Sequence, residues 1–509
     1  MKPALLARLL CSSIVFLIIL GISHSHAADY RPAGIQPPEP LREFRGAWVA
    51  SVHNIDWPSR AGLSPSQQRA ELVSLLDLAA KTGLNAIILQ VRPEGDALYD
   101  SKIEPWSYWL TGQMGKAPSD GYDPLAFAVS EAHRRGIELH AWFNPFRARA
   151  TKSVSASSNH LSRTHPEWLL PAGSQTWADP GLRPVQDRAI QVMVDVTKRY
   201  DVDAIHIDDY FYPYPKKIGG KMVQQFDDSR TYAAYRAAGG KLEITDWRRA
   251  EMNGFIQRLY AAIKGTKPWV KFGISPFGIW RPGYPRGIEA DLDSYEHIAS
   301  DARTWLHEGW LDYLSPQLYW RIDDRPHSFS ALSKWWNDEN SKGRHVWPGT
   351  ASSRIKSDED PGRPASEIAR QIVVTRETSS TRLGAGHLHW SFAAIKSDRG
   401  GLRSQLAPLY RTVAIPPASP WLAPPQGPPA PQPSIQIREG RAVVIFGKPQ
   451  ANARWRLVQA RPQPGGEWFT LRLAPGGAPE LMLPDAPAEI AVRNVGYAGQ
   501  LSEAAGFAR

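Results

Sequence analysis

The chain has 509 residues, 42% apolar and 22% charged, with a formal net charge of +10. That balance excludes a multi-span membrane protein and an intrinsically disordered one, and the length suffices for one large core plus a small second domain. Its 20 Trp against a single Cys suit a fold that binds flat-faced ligands such as sugars, although a large core absorbs most aromatic residues.

Residues 1–27 read as a secretory signal peptide: Lys2 and Arg8 are basic, Leu9 to Ile22 apolar, and Ser25-His26-Ala27 a small-x-small cleavage site. The apolar run is shorter than the roughly 20 residues a spanning helix needs. Cys11 lies at the start of that run rather than after it and follows Leu10, where a lipid-attachment motif wants a small residue. A periplasmic or secreted protein with no stable membrane anchor is expected. Without Cys11 the mature chain has no thiol nucleophile, Cys–zinc site or disulfide. The positive charge is spread rather than blocked, no nucleic-acid motif is found, and neither a nucleic-acid partner nor a cofactor or metal is expected.

A Pro-rich lead-in, 28–41, precedes a βα rhythm that repeats eight times between 42 and 413. Strands are expected at 44–52, 85–92, 138–146, 204–211, 270–280, 313–321, 345–350 and 386–392. Leu72, Leu75, Leu76 and Ala79 form the apolar face of the first helix, closed by Gly83. Asp123-Pro124 opens the second and Gly136 ends it, and Asp246 is expected to cap a fourth. This pattern predicts an α/β fold, a (β/α)₈ TIM barrel with long loops after strands 3 (147–183) and 4 (210–245). The alternative, an open doubly wound sheet, lacks a Gly-rich turn after its first strand. Residues 414–434 read as a stiff polyproline-type linker that isolates a C-terminal module, 435–509. Short alternating runs there predict a small β-sandwich resembling a fibronectin type III module.

Alternation assigns barrel faces. Ile87, Leu89 and Val91 face the helices, leaving Ile88, Gln90 and Arg92 inward; His140, Trp142 and Asn144 point in, as do His206 and Asp208. Ser315, Gln317 and Tyr319, and in the last strand His387, His389 and Ser391, complete the inner set. A barrel core is normally aliphatic, so a polar layer at the strands' carboxyl ends reads as an active site. Its strongest element is His206-Ile207-Asp208-Asp209-Tyr210-Phe211, because two adjacent acids ending a buried strand are costly unless paired or used. The chain turns there, so both can reach the cleft; alternatively, Asp209 caps the loop and only Asp208 faces substrate. Arg92, Arg147, Arg281, Arg321 and Arg354 follow strand ends on the same side and could bind a carboxylate, two or three of them being expected to be structural. Trp142, Trp280 and Trp320 offer stacking faces, whereas Trp48 and Trp390 fall in the outward phase and are assigned to the core. Glu94 is the other acid near a strand end. The candidate site is thus Asp208 and Asp209 as catalytic acids, with Gln90, Arg92, Glu94, His140, Trp142, Asn144, His206, Tyr210, Trp280, Gln317, Tyr319 and Trp320 as substrate contacts.

The segments FRGAWVASV, QVRPEGDALY, HAWFNPFRA, VDAIHIDDYFYP, DWRRAEMNGFI, KFGISPFGIWR and LDYLSPQLYW resemble the glycosyl-hydrolase-10-like family of bacterial envelope proteins, over about Phe44 to Trp390. That family includes a divisome-associated hydrolase of glycan strands stripped of stem peptides. The resemblance implies a TIM-barrel glycosidase of peptidoglycan or a related exopolysaccharide, a carboxylate-bearing glycan substrate, and cell-division or cell-wall partners. One departure is that the divisome member is a lipoprotein. Two mechanisms are open. One uses two carboxylates about 5–9.5 Å apart, with Glu94 as the second. The other, resembling O-GlcNAc hydrolases, uses the adjacent pair as polariser and general acid for a substrate whose 2-acetamido oxygen attacks, with Tyr319 holding the acetamide. Rival functions are a metal-dependent deacetylase using His140, His206, Asp208, His387 and His389, and a glycan-binding barrel without catalysis.

Overall fold

The computed structural model describes residues 30–151, 153–380, 383–422 and 426–509; the expected signal peptide lies outside them. Eight parallel barrel strands follow in chain order: β1 (Glu43–Val49), β2 (Ala86–Arg92), β3 (Glu138–Phe143), β4 (Ala204–Ile207), β5 (Lys271–Ile274), β6 (Tyr313–Leu314), β7 in two pieces (His345–Val346 and Gly349–Thr350) and β8 (Ala385–His389). Pro348 lacks an N–H and splits β7. Its first piece pairs with β6 and its second with β8, while β8 pairs with β1, so the sheet closes on itself. This is the TIM barrel expected.

Helix ends follow local chemistry. Ser64 and Gln67 form a capping box on Pro65–Thr82, which Gly83 terminates in the left-handed region. Asp123 caps Pro124–Arg134 through the Ala126 amide. Asp246 does not cap its helix; it lies in the first turn of Ile244–Thr266, behind Glu243. The main apolar core lies between strands and helices and contains the outward residues Ile87, Leu89, Leu139, Ala141, Ile205 and Ile207.

Inside the barrel the filling is aromatic: Phe44, Trp48, Trp142, Tyr313 and Trp347, with Ile88 and Leu388. Glycines opposite make the room. A Cβ on Gly273 would fall 1.8 Å from the Tyr313 ring, and one on Gly386 2.3 Å from Trp347. Trp48 is therefore inward, contrary to its expected phase. So is β8 reversed: Gly386 and Leu388 face in, while His387 and His389 face out, where both bond the Tyr410 hydroxyl. Polarity misleads here because the histidines' partner lies behind the strand.

The C-terminal module is a β-sandwich of one five-stranded and one three-stranded sheet. Its larger sheet takes in Arg31–Pro32, which pair with Phe507 and Ala508, so the lead-in belongs to the module. The Pro-rich segment is no isolating linker. Ile415 exchanges backbone bonds with Leu41 and Glu43, Ser419 Oγ lies 2.9 Å from His345 Nε2, and the Trp421 indole donates to Asp312. The module closes the barrel floor through Trp455, Leu457 and Leu473 beside Ile415, and through Arg454, which donates to Asp203 at 2.6 Å. Among the described residues no helix is long and apolar enough to cross a membrane.

Candidate active site

Six of the eight expected strands overrun the real ones at their carboxyl ends. Beyond Val49, Phe143, Ile207, Ile274 and Leu314 the backbone leaves the ladder and spreads into a cavity of about 370 Å³. The two long loops wall one side. That after β3 builds a small antiparallel sheet (Arg147–Arg149, Leu169–Ala172, Gln175–Ala178), and that after β4 a hairpin (Lys216–Ile218, Lys221–Val223). The Trp177 indole, donating to the Phe211 carbonyl at 3.0 Å, pins one loop to the other.

Asp208 and Asp209 both line the cavity, each only 5% exposed, so the turn at the strand end does present the pair together. Burial, then the charge of Asp209, pushes the Asp208 carboxyl up to about 7; Arg147 and a bond from Asn144 oppose the rise. Burial also raises Asp209, against bonds from the Tyr214 hydroxyl and Gln317. Both carboxyls thus hold a proton more readily than an exposed aspartate does.

A relay of amides orients Asp208. The Ser51 and Val52 amides donate to Gln90 Oε1 at 2.9 Å, fixing its flip. Gln90 Nε2 then donates to Asn144 Oδ1 at 2.6 Å, and Asn144 Nδ2 to Asp208 Oδ2 at 2.6 Å. Arg147 also donates to Asn144 Oδ1 (2.8 Å) and lies over the Tyr210 ring. Gln90, Trp142, Tyr210, Gln317 and Tyr319 line the cavity as expected, and Asn144 positions the pair.

The remaining expected substrate residues lie elsewhere. Arg92 is buried against Glu104, with Nε donating at 2.7 Å. Glu94 is 1% exposed, and its oxygens accept from the Trp109 indole (2.7 Å) and the Ala150 amide (2.6 Å), so it is no second acid facing substrate. Trp280 packs in the outer core and donates to Asp301, and Trp320 stacks on His327. His206 and His140 lie beneath the cavity in a column along the barrel axis. Trp48 Nε1 donates to His206 Nε2 (3.2 Å), which leaves His206 Nδ1 to donate to the Tyr313 oxygen; that hydroxyl donates to His140 Nδ1, and His140 Nε2 to Glu138 (3.0 Å). Burial holds His206 well below the usual histidine range. With His387 and His389 behind β8, the ligand set of a deacetylase is not brought together.

Of the five rim arginines, Arg281 pairs with Asp293, Arg321 with Asp360, Arg354 with Glu359 and Arg92 with Glu104. Only Arg147 has no carboxylate partner among the described residues, and it lines the cavity. Trp48 belongs to the aromatic core inside the barrel, as its assignment to the core expected, and Trp390 packs against that core; both also line the cavity. His53, Ile55, Gln175, Tyr214 and Ser275 also line it. Most of these sit on loops, where no periodicity marks them; Tyr214 alone had a signal, the aromatic run after the acid pair.

Residues 43–362 match the family model described as glycosyl hydrolase-like 10. The chain is 40% identical over 390 residues to a glycosyl hydrolase of Bacillus subtilis, YngK, covering 75% of this chain and 74% of that one. It is 35% identical over 333 residues to the glycosyl hydrolase DigH of Escherichia coli, covering 60% and 73%. With more than half of its length matched and its barrel closed around a buried carboxylate pair, this chain belongs to the glycosyl hydrolase-like 10 family.

Proposed function

We propose that this protein hydrolyses a glycosidic bond in peptide-free peptidoglycan strands, or in a related envelope polysaccharide of N-acetylated amino sugars. The observation that carries this reading is the buried Asp208–Asp209 pair at a cavity walled by Trp48, Trp142 and Trp390. An N-acetyl sugar brings its own nucleophile, so the protein must supply one acid and one carboxylate that orients the amide. Asp208, raised to about 7, holds the proton. Asp209, on which Tyr214 and Gln317 converge, stays ionised and accepts from the acetamido N–H. Tyr319, whose hydroxyl burial and Asp209 keep un-ionised, holds the acetamide. The acetamido oxygen attacks C1 as the C1–O bond breaks and Asp208 protonates the leaving oxygen. Water then opens the cyclic intermediate and returns a proton to Asp208. Arg147, rather than Arg92, faces a substrate carboxylate.

The test compares peptide-free strands before and after chemical N-deacetylation, reading new reducing ends. Cleavage of the acetylated strand alone is expected. Equal cleavage of both would overturn the acetamide mechanism, and cleavage of neither the hydrolase itself. Export, with a mature N-terminus near Ala28, is part of the same proposal and is checked by N-terminal sequencing of the native protein.

A further inference from the structure

His53 and Asn54 are consecutive non-glycine residues in the left-handed region, with φ of 53° and 52°. Such backbone is uncommon outside glycine and persists only where its surroundings over-determine it. Here they do. Asn54 Nδ2 donates to the Pro58 and Trp109 carbonyls at 2.9 Å each. Before the loop, the Ser51 and Val52 amides are held by Gln90; after it, Asp56 accepts from the Ala50 amide (2.8 Å), Ser391 Oγ (2.7 Å) and the Ala393 amide (2.7 Å). The turn anchors Val52 against Trp109, but the side chains of His53, which is exposed, and Ile55, which is 47% exposed, lie outside the core and line the cavity. The His53 ring meets Trp109 edge-on at 4.7 Å, and that indole is itself fixed on Glu94. Neither imidazole nitrogen has a partner among the described residues, and burial together with Arg147 lowers its pKa, leaving a neutral ring with one donor and one acceptor.

We infer that Val52, His53 and Ile55 form a sugar subsite at the cavity mouth, distinct from the position at the Asp208–Asp209 pair. It would take an uncharged ring of the same glycan strand. The imidazole spans neighbouring hydroxyl or amide groups, and the Ile55 side chain lies against the ring's apolar face. The inference rests on the glycan-hydrolase reading and adds that the enzyme grips more than the sugars flanking the cleaved bond.

The experiment measures binding of the di-, tetra- and hexasaccharides of N-acetylglucosamine by calorimetry, in an Asp208→Asn background so that cleavage is slow beside the titration. Affinity should rise with chain length. Adding His53→Gly should cut hexasaccharide affinity by roughly tenfold and leave the disaccharide unchanged. Ile55→Ser should act in the same direction. Glycine fits the left-handed backbone, so the midpoint of thermal unfolding should hold or rise; weaker hexasaccharide binding at undiminished stability then reports the missing imidazole rather than a damaged fold. Equal binding of all three oligomers by both proteins, or equal loss on the disaccharide, overturns the subsite. Absence of binding to any oligomer by the His53 protein would instead count against the N-acetyl-glycan reading itself.

Discussion

The floor and the mouth of this barrel both bury charged side chains, and they treat them oppositely. At the floor Asp203 meets Arg454 and His133, Glu138 meets Lys271, and Glu43 meets Arg45 and Arg376. Against the cost of burial, the Arg454 charge holds Asp203, and the Lys271 charge Glu138, below the usual carboxylate range. At the mouth burial prevails: Asp208, Asp209 and Glu94 are raised, and Asp96 is pushed up to about 8 by burial and by Glu94. Paired buried charge is architecture. Unpaired buried carboxyls are costly to ionise, and here they gather at the mouth.

The sharpest break in this comparison comes from activity. Asp208→Asn and Asp209→Asn should each lower kcat by about 10²–10⁴, and the double variant should be little worse than either, because the two act as one unit. Reducing-end release from peptide-free strands measures this. Fully multiplicative losses would mean the carboxylates work separately.

At the floor, Arg454→Met takes from the buried Asp203 its guanidinium partner and leaves only His133 bonded to it, which should cost about 3–5 kcal/mol by urea unfolding at neutral pH. Because Asp203 has a depressed folded pKa, the stability it contributes is present above its unfolded value and lost as pH falls through the folded one. The deficit of Arg454→Met should therefore shrink in acid. Ending the chain near Ala414, which an isolating linker would tolerate, should destabilise the barrel as well, since Trp455, Leu473 and Arg454 cover its floor.

At the mouth the sign reverses. A raised folded pKa gives stability that is present below the unfolded value near 4 and lost as pH rises through about 7. Asp208→Asn should thus be more stable than the unaltered protein by roughly 2–4 kcal/mol at pH 8, with the gain fading toward pH 4. Thermal unfolding across that range checks it; a constant difference would mean that Asp208 is not raised.

The smallest expected effect separates the arginines. Arg147→Met should weaken binding of carboxylate-bearing strands by about 10–100-fold and affect neutral chitin oligomers much less. Arg92→Met should leave that preference intact and lower stability, because it takes from the buried Glu104 carboxylate its close partner and leaves only Arg188 at 3.8 Å. The reverse pattern would restore Arg92 as the group that meets substrate.

Period-two alternation is a local property of a strand, so the presence and order of the eight strands and the inward positions of Ile88, Gln90, His140, Trp142 and His206 were legible, though not where the strands end. The Asp208–Asp209 pair was legible too, because adjacent acids ending an apolar strand have few harmless explanations. The sequence by itself thus determined the barrel, its polar layer and the carboxylates at its centre. Tertiary structure decided everything that depends on what lies across space. Leu388 faces inward because Gly46 leaves it room, and His387 faces outward because Tyr410 waits there. Glu94 and Arg92 look like Arg147 in one dimension, but Trp109, Ala150 and Glu104 claim the first two and leave the third to the cavity. The Pro-rich segment is stiff by composition, and only the barrel floor beneath it made it a seal. A side chain's direction is written in its neighbours along the chain; its job depends on which distant group reaches it first.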